Sequence, residues 1–168
     1  MKNIYNYRLD TSNPEDLEID FDLRSEKLKL NWVNITKYFI TKGTKLRFKY
    51  WQKDLNLGDD GYSTHGIKQI IESADNNLLI AKDDDDLTIL TVNIDTKIRE
   101  CFFNVLKLEY DKEAPFFHFD IVDDQDISIY TSQDYGSNVL IYLTEEDFIN
   151  VTQNLINKDD LISLPEII

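Results

Sequence analysis

The stretch PFFHFDIVDDQDISIYT, residues 115–131, decides how this chain is read. Phe117, Phe119 and Ile121 alternate with His118 and Asp120, the two-residue period of a strand with one apolar face. Asp123-Asp124-Gln125-Asp126 reads as a turn and Ile127 to Thr131 as the return strand, so the segment predicts an antiparallel hairpin. Tyr135-Gly136-Ser137 turns the chain again into Asn138 to Leu143. Thr144-Glu145-Glu146-Asp147 then opens a helix, with a capping hydroxyl and an acid three residues later. That helix runs to about Asn157 and buries Phe148, Val151 and Leu155.

Working upstream, Ile94, Ile98, Cys101, Phe102, Val105 and Leu106 fall at helical spacing, and Asp95 is placed to cap them. Short strands are expected around Leu78 to Ala81 and over Leu87 to Ile94, with a helix from Ile67 to Ala74. Leu46, Phe48 and Tyr50 alternate with Arg47, Lys49 and Trp51, another strand. Leu17, Ile19, Phe21 and Leu23 alternate with Glu18, Asp20 and Asp22, and the period resumes at Leu28, Leu30 and Trp32 between lysines. That pattern predicts a hairpin of one acidic and one basic strand. A short helix over Ile35 to Thr41 closes at Gly43, and Leu161 to Ile168 forms a tail. The expected fold is α+β, a mostly antiparallel sheet with about three helices packed against it. A chain of 168 residues is most simply one domain over 1–168, and the composition shift across 52–64 marks where a sub-boundary would fall.

Charge is sorted along this chain. Between residues 24 and 53, Arg24, Lys27, Lys29, Lys37, Lys42, Lys45, Arg47, Lys49 and Lys53 face one acid, Glu26, while the chain as a whole carries a net charge of −14. The carboxylates therefore concentrate elsewhere, above all after residue 53. Such a field repels nucleic acid and attracts cationic protein surfaces. The basic stretch interleaves with Trp32, Tyr38, Phe48, Tyr50 and Trp51, as a nucleic-acid platform would. Alternation sends Phe48 and Tyr50 away from Arg47 and Lys49, however, so these aromatics read as core and no nucleic-acid partner is expected.

Catalytic patterns are weak. Asp83 to Asp86 lack the spaced oxygens, central glycine and terminal glutamate of a calcium loop and read as a solvated turn. His118 and Asp120 share a strand face, but two ligands are too few for zinc, and the only other histidine, His65, falls in a Gly-rich loop without a paired nucleophile. Cys101, the single cysteine, sits on an apolar helix face without basic neighbours, which keeps a thiol inert. No Gly-rich loop opens a helix to cradle phosphate. No metal or cofactor is expected, and no enzymatic activity. The first residues carry charge without an apolar segment, and no stretch approaches 18 uncharged apolar residues. The expected location is cytoplasmic, without a membrane partner.

The best candidate for a binding surface is the acidic C-terminal half: Asp120, Asp123, Asp124, Asp126, Asp134, Glu145, Glu146 and Asp147, with Tyr130 and Tyr135 as aromatic anchors. The competing explanation is solubility, together with helix-dipole complementarity at Glu145 to Asp147. In size, charge and composition across its whole length, the chain resembles the immunity proteins of contact-dependent growth inhibition and related polymorphic toxin systems. The resemblance implies a protein that neutralises a cognate toxin domain, often a basic nuclease, by covering its active site or a neighbouring surface. Two other readings remain: a nucleic-acid-mimicking inhibitor, and an enzyme using carboxylates or a divalent metal.

Overall fold

The computed structural model describes residues 4–10, 21–56, 62–83, 87–107 and 115–165. Eight strands form one sheet: β1 (Ile4–Leu9), β2 (Lys45–Trp51), β3 (Leu78–Lys82), β4 (Leu87–Asn93), β5 (His118–Val122), β6 (Ser128–Gln133), β7 (Asn138–Thr144) and β8 (Leu161–Ser163). Their order across the sheet is β3-β4-β2-β5-β6-β7-β1-β8, and every neighbouring pair is antiparallel. Strands from both sides of residues 52–64 thus interleave in a single sheet. Four helices accompany it: α1 (Phe21–Ile40), α2 (Tyr62–Ala74), α3 (Thr96–Lys107) and α4 (Glu145–Asn154). The fold is α+β, a mostly antiparallel sheet with helices packed against it, as expected.

Period-two patterning places the core. Leu46, Phe48 and Tyr50 of β2 are buried, and between them stand the half-buried Lys45, Arg47, Lys49 and Trp51. Register sets Phe48 beside Leu90 of β4 and Phe119 of β5, and Ile121 beside Tyr130 of β6. The helices gather on this face. Phe102 of α3 stacks on Phe116 at 5.3 Å and 7°, and Phe116 lies 4.9 Å from Phe48 and 5.6 Å from Phe119. All four phenylalanines are fully buried. The α2 helix packs on α3, and Phe148 of α4 stacks on Tyr7 of β1 at 5.2 Å.

The predicted hairpin over Leu17 to Trp32 is corrected. Residues 11–20 lie outside the described residues, but Phe21 to Ile40 is one helix. Buried positions fall in pairs, Asn31 and Trp32, Ile35 and Thr36, Phe39 and Ile40, which is a helical stripe. The Leu28-Leu30-Trp32 alternation is accidental; Leu30 is 58% exposed. Between the two alternating runs, Arg24-Ser25-Glu26 offers only Ser25 as a turn former, without Gly, Pro, Asn or Asp, and here the helical period prevails. Trp32 donates from Nε1 to Ser132 Oγ at 3.0 Å, so α1 lies across β6 through polar as well as apolar contacts. At the C-terminal end of α1, Gly43 donates to Phe39 O at 2.9 Å, and a Cβ there would collide with Ile121, so only glycine lets the chain pass from helix to sheet. His65 falls in α2 rather than in a loop.

The strand β1 was not anticipated, and it gives the tail a partner. Tyr7 pairs with Ile141 on one side and with Ser163 on the other, so the chain's two ends close this part of the sheet.

Candidate functional site at the acidic end of the sheet

Antiparallel order brings three junctions to one end of the sheet. The β5–β6 turn carries Asp123 to Asp126, and β7 runs into α4 at Thr144 to Asp147. The link from α1 to β2 docks beside them, Thr44 donating to Val122 O at 2.8 Å. Asp123, Asp124, Asp126, Glu145, Glu146 and Asp147 therefore share this end, together with Lys42 and Lys45.

Their roles differ. Asp147 is buried and accepts from the hydroxyl of Tyr38 at 2.8 Å, from Thr144 Oγ1 at 2.6 Å and, in a short ion pair, from Lys42 Nζ. Burial pushes its carboxyl up, but the Lys42, Thr144 and Tyr38 hydrogen bonds outweigh that and hold it below the usual range. With Thr144 it forms the reciprocal capping box that the sequence signature announced. Thr144→Ala should cost about 1 kcal/mol, read as a lower urea midpoint, and Thr144→Ser should recover most of it. An unchanged midpoint for Thr144→Ala would mean that the cap contributes nothing to stability.

Asp123 organises its turn, accepting from the amides of Gln125 and Ile127, both at 2.9 Å. Asp126 is exposed and left-handed at φ 65°, and it pairs with Lys45 at 2.9 Å and Arg47 at 3.4 Å, which lower its pKa. Asp124, Glu145 and Glu146 are exposed and have no ion-pair partner among the described residues. Two of them occupy the first turn of α4, where the helix dipole favours anions.

Other members of the anticipated surface do not belong to it. Tyr130 is fully buried, its ring against Phe39 and Phe119 and its hydroxyl 2.6 Å from Thr36 Oγ1, so it anchors the core and not a partner. Asp120 is 8% exposed and accepts from Thr131 Oγ1 at 2.6 Å; His118 Nε2 lies 3.4 Å away. Burial raises its pKa, but His118, Thr131 and Arg47 together bring it below the usual range. Asp147 is likewise consumed inside the fold. Physically, a carboxylate opposite Arg47 in the register, or at a cap, is taken up by the nearest cation or donor before any partner arrives.

Asp134 and Tyr135 lie at the opposite end of the sheet, in the left-handed β6–β7 turn at φ 49° and 56°. Asp134 is exposed; Tyr135 leans on Phe117 at 5.5 Å, and Phe117 packs on Trp51 at 4.6 Å. This half-buried aromatic ladder was not legible: Phe117 shares parity with the core residues but sits one position before the strand begins. Cys101 is half-buried, with Sγ 3.5 Å from Gln69 O. No cluster of three or more His, Cys, Asp or Glu side chains able to hold a metal occurs among the described residues. No described helix is long and apolar enough to cross a membrane. Comparison with protein-family profiles, with curated proteins and with solved structures finds no match to this chain.

Proposed function

We propose that this protein binds and neutralises a cationic toxin domain in the cytoplasm through the acidic end of its sheet, acting by coverage with no bond-breaking of its own. The observation that carries the reading is the group of exposed carboxylates at Asp124, Glu145 and Glu146, beside Asp126, on a chain of net charge −14. These groups stand where a toxin's Lys and Arg would otherwise meet phosphate. The rigid frame beneath them supports the same reading. Asp147, Lys42 and Tyr38 tie α4 to α1, and Asp123 fixes the turn, so the exposed acids are presented by ordered backbone. The site is accordingly narrower than the sequence suggested. Tyr130, Asp120 and Asp147 support it from within, while Asp134 and Tyr135 belong to another end of the molecule.

The test is to express the reading frames adjacent to this gene, select any cationic toxin domain among them, and follow its association with this protein by stopped-flow. The on-rate should fall at least about tenfold between about 50 and 500 mM salt, because exposed charges act over a Debye length of about 10 Å or less. Combined Asp124→Asn, Glu145→Gln and Glu146→Gln should slow it comparably at low salt and leave the thermal midpoint nearly unchanged. A salt-independent on-rate, or full neutralisation by the triple variant, would end this reading.

A further inference from the structure

The two edges of the sheet are not equivalent. On one side β8 has three residues, and Pro165 follows two positions later, a combination that blunts strand pairing. On the other side β3 has five residues, no proline and no register shift against β4. Successive strand residues point to opposite faces, so Leu79 and Ile80 project on either side of this edge; they are 68% and 54% exposed. Beside Leu79, on the sheet face that carries Lys45 and Arg47, lies a recess of about 260 Å³ lined by Lys45, Asn76, Asn77, Thr91 and Asn93. Its amides include Asn93 Nδ2 donating to Asn77 Oδ1 at 3.1 Å, and Lys45 is already engaged by Asp126.

We propose that β3 is a docking edge that takes an extended, Lys- or Arg-bearing strand of a partner protein as a ninth strand of the sheet. An added strand satisfies the outward backbone groups of β3 and covers Leu79 and Ile80 with alternate side chains. A side chain on its recess-facing side reaches the asparagine amide oxygens. Charge chooses the occupant. A second copy would bring another −14 against this one, and two five-residue edges meet over far less than the roughly 1,200 Å² of a stable interface. The recess adjoins the acidic end through Lys45, but the inference rests on the edge of β3 and not on Asp124, Glu145 or Glu146.

The probe is a blocked peptide of alternating valine and lysine, about seven residues long, titrated into the intact protein while amide NMR signals are followed. Saturable shifts and slowed amide exchange are expected at Leu79 to Ala81. N-methylation of the valines, which removes strand pairing and retains charge, should weaken binding at least about tenfold, and Leu79→Ser with Ile80→Ser at least about fivefold. Both substituted positions are exposed, so this variant should keep the parent's thermal midpoint. The proposal is overturned by any of four results: no saturable shift at millimolar peptide, equal binding of the N-methylated peptide, shifts confined to Asp124, Glu145 and Glu146, or concentration-dependent self-association that protects β3. Failure here leaves the salt dependence at the acidic end untouched, and the converse holds too.

Discussion

Replacing Phe119 by alanine should lower the free energy of unfolding by about 3–5 kcal/mol, the largest single-residue effect expected in this protein. The ring is fully buried and stands where the layers meet: Trp32 of α1 at 6.2 Å, Phe102 of α3 at 5.4 Å, Phe116 at 5.6 Å and Tyr130 of β6 at 5.7 Å. Removing it deletes apolar burial and leaves a cavity framed by rigid aromatic rings, which cannot collapse inward without breaking their own contacts. A domain of this size has about 5–15 kcal/mol in total, so much of the margin would go. Guanidinium titration reads the change directly. Tyr135→Ala is the internal comparison: its ring is half-buried at the end of the sheet and should cost about 1 kcal/mol or less. If Phe119→Ala lost no more than Tyr135→Ala, the continuous aromatic core described above would be wrong.

Asp147→Ala should cost about 2–3 kcal/mol, less than Phe119→Ala but with a pH signature that packing cannot produce. It removes one half of the α4 capping box and strands Lys42 and the Tyr38 hydroxyl. Lys42 remains partly exposed and can rehydrate, which keeps the cost below that of a deeply buried pair. The signs follow from linkage. Asp147 has a folded pKa below its unfolded value, so its contribution is complete above about pH 4 and drains away as pH falls through the folded value. Lys42 and Tyr38 lie on the alkaline side. Burial lowers the Lys42 pKa, but the Asp147 and Tyr38 hydrogen bonds overcome it and the net shift is upward; burial is also the main cause of the raised Tyr38. Their contribution is complete below about pH 10 and is lost as pH rises through the folded values. Stability should therefore form a plateau between these limits and decline at both ends. Asp147→Asn should shrink both declines; the acid limb will persist in part, because Asp120 is also depressed. Identical pH profiles for parent and Asp147→Asn would rule out the coupling of Asp147 to Lys42 and Tyr38.

How much of this was legible from the chain differs by element. The β5–β6 hairpin, β2, the Asp95-capped α3 and the Thr144–Asp147 box all appear as read; Ile98 N donates to Asp95 Oδ1 at 2.8 Å. In each case the deciding signal is local: a two-residue period, a 3.6-residue period or a cap within four residues. The α1 helix was misread because Leu28, Leu30 and Trp32 follow a two-residue period, whereas only Leu28 and Trp32, four apart, also fit a helical face; the choice fell to Ser132 and Tyr130, about a hundred residues away. The strand β1 escaped notice because six residues at one end of the chain become a strand only when β7 and β8 flank them. The acidic site shows the same division. That carboxylates crowd the second half is plain from the sequence, but which of them remain in solvent depends on where Lys42, Lys45 and Arg47 arrive.

Local periodicity, capping residues and net charge were settled by neighbours in the chain, since backbone geometry repeats over a few residues and charge simply adds. Tertiary packing alone decided the order of the eight strands, the burial of Tyr130 and Asp120, and the separation of Asp134 and Tyr135 from the acidic end. Each depends on partners distant in sequence, where burial and ion pairing are won by whichever group the folded sheet brings within reach.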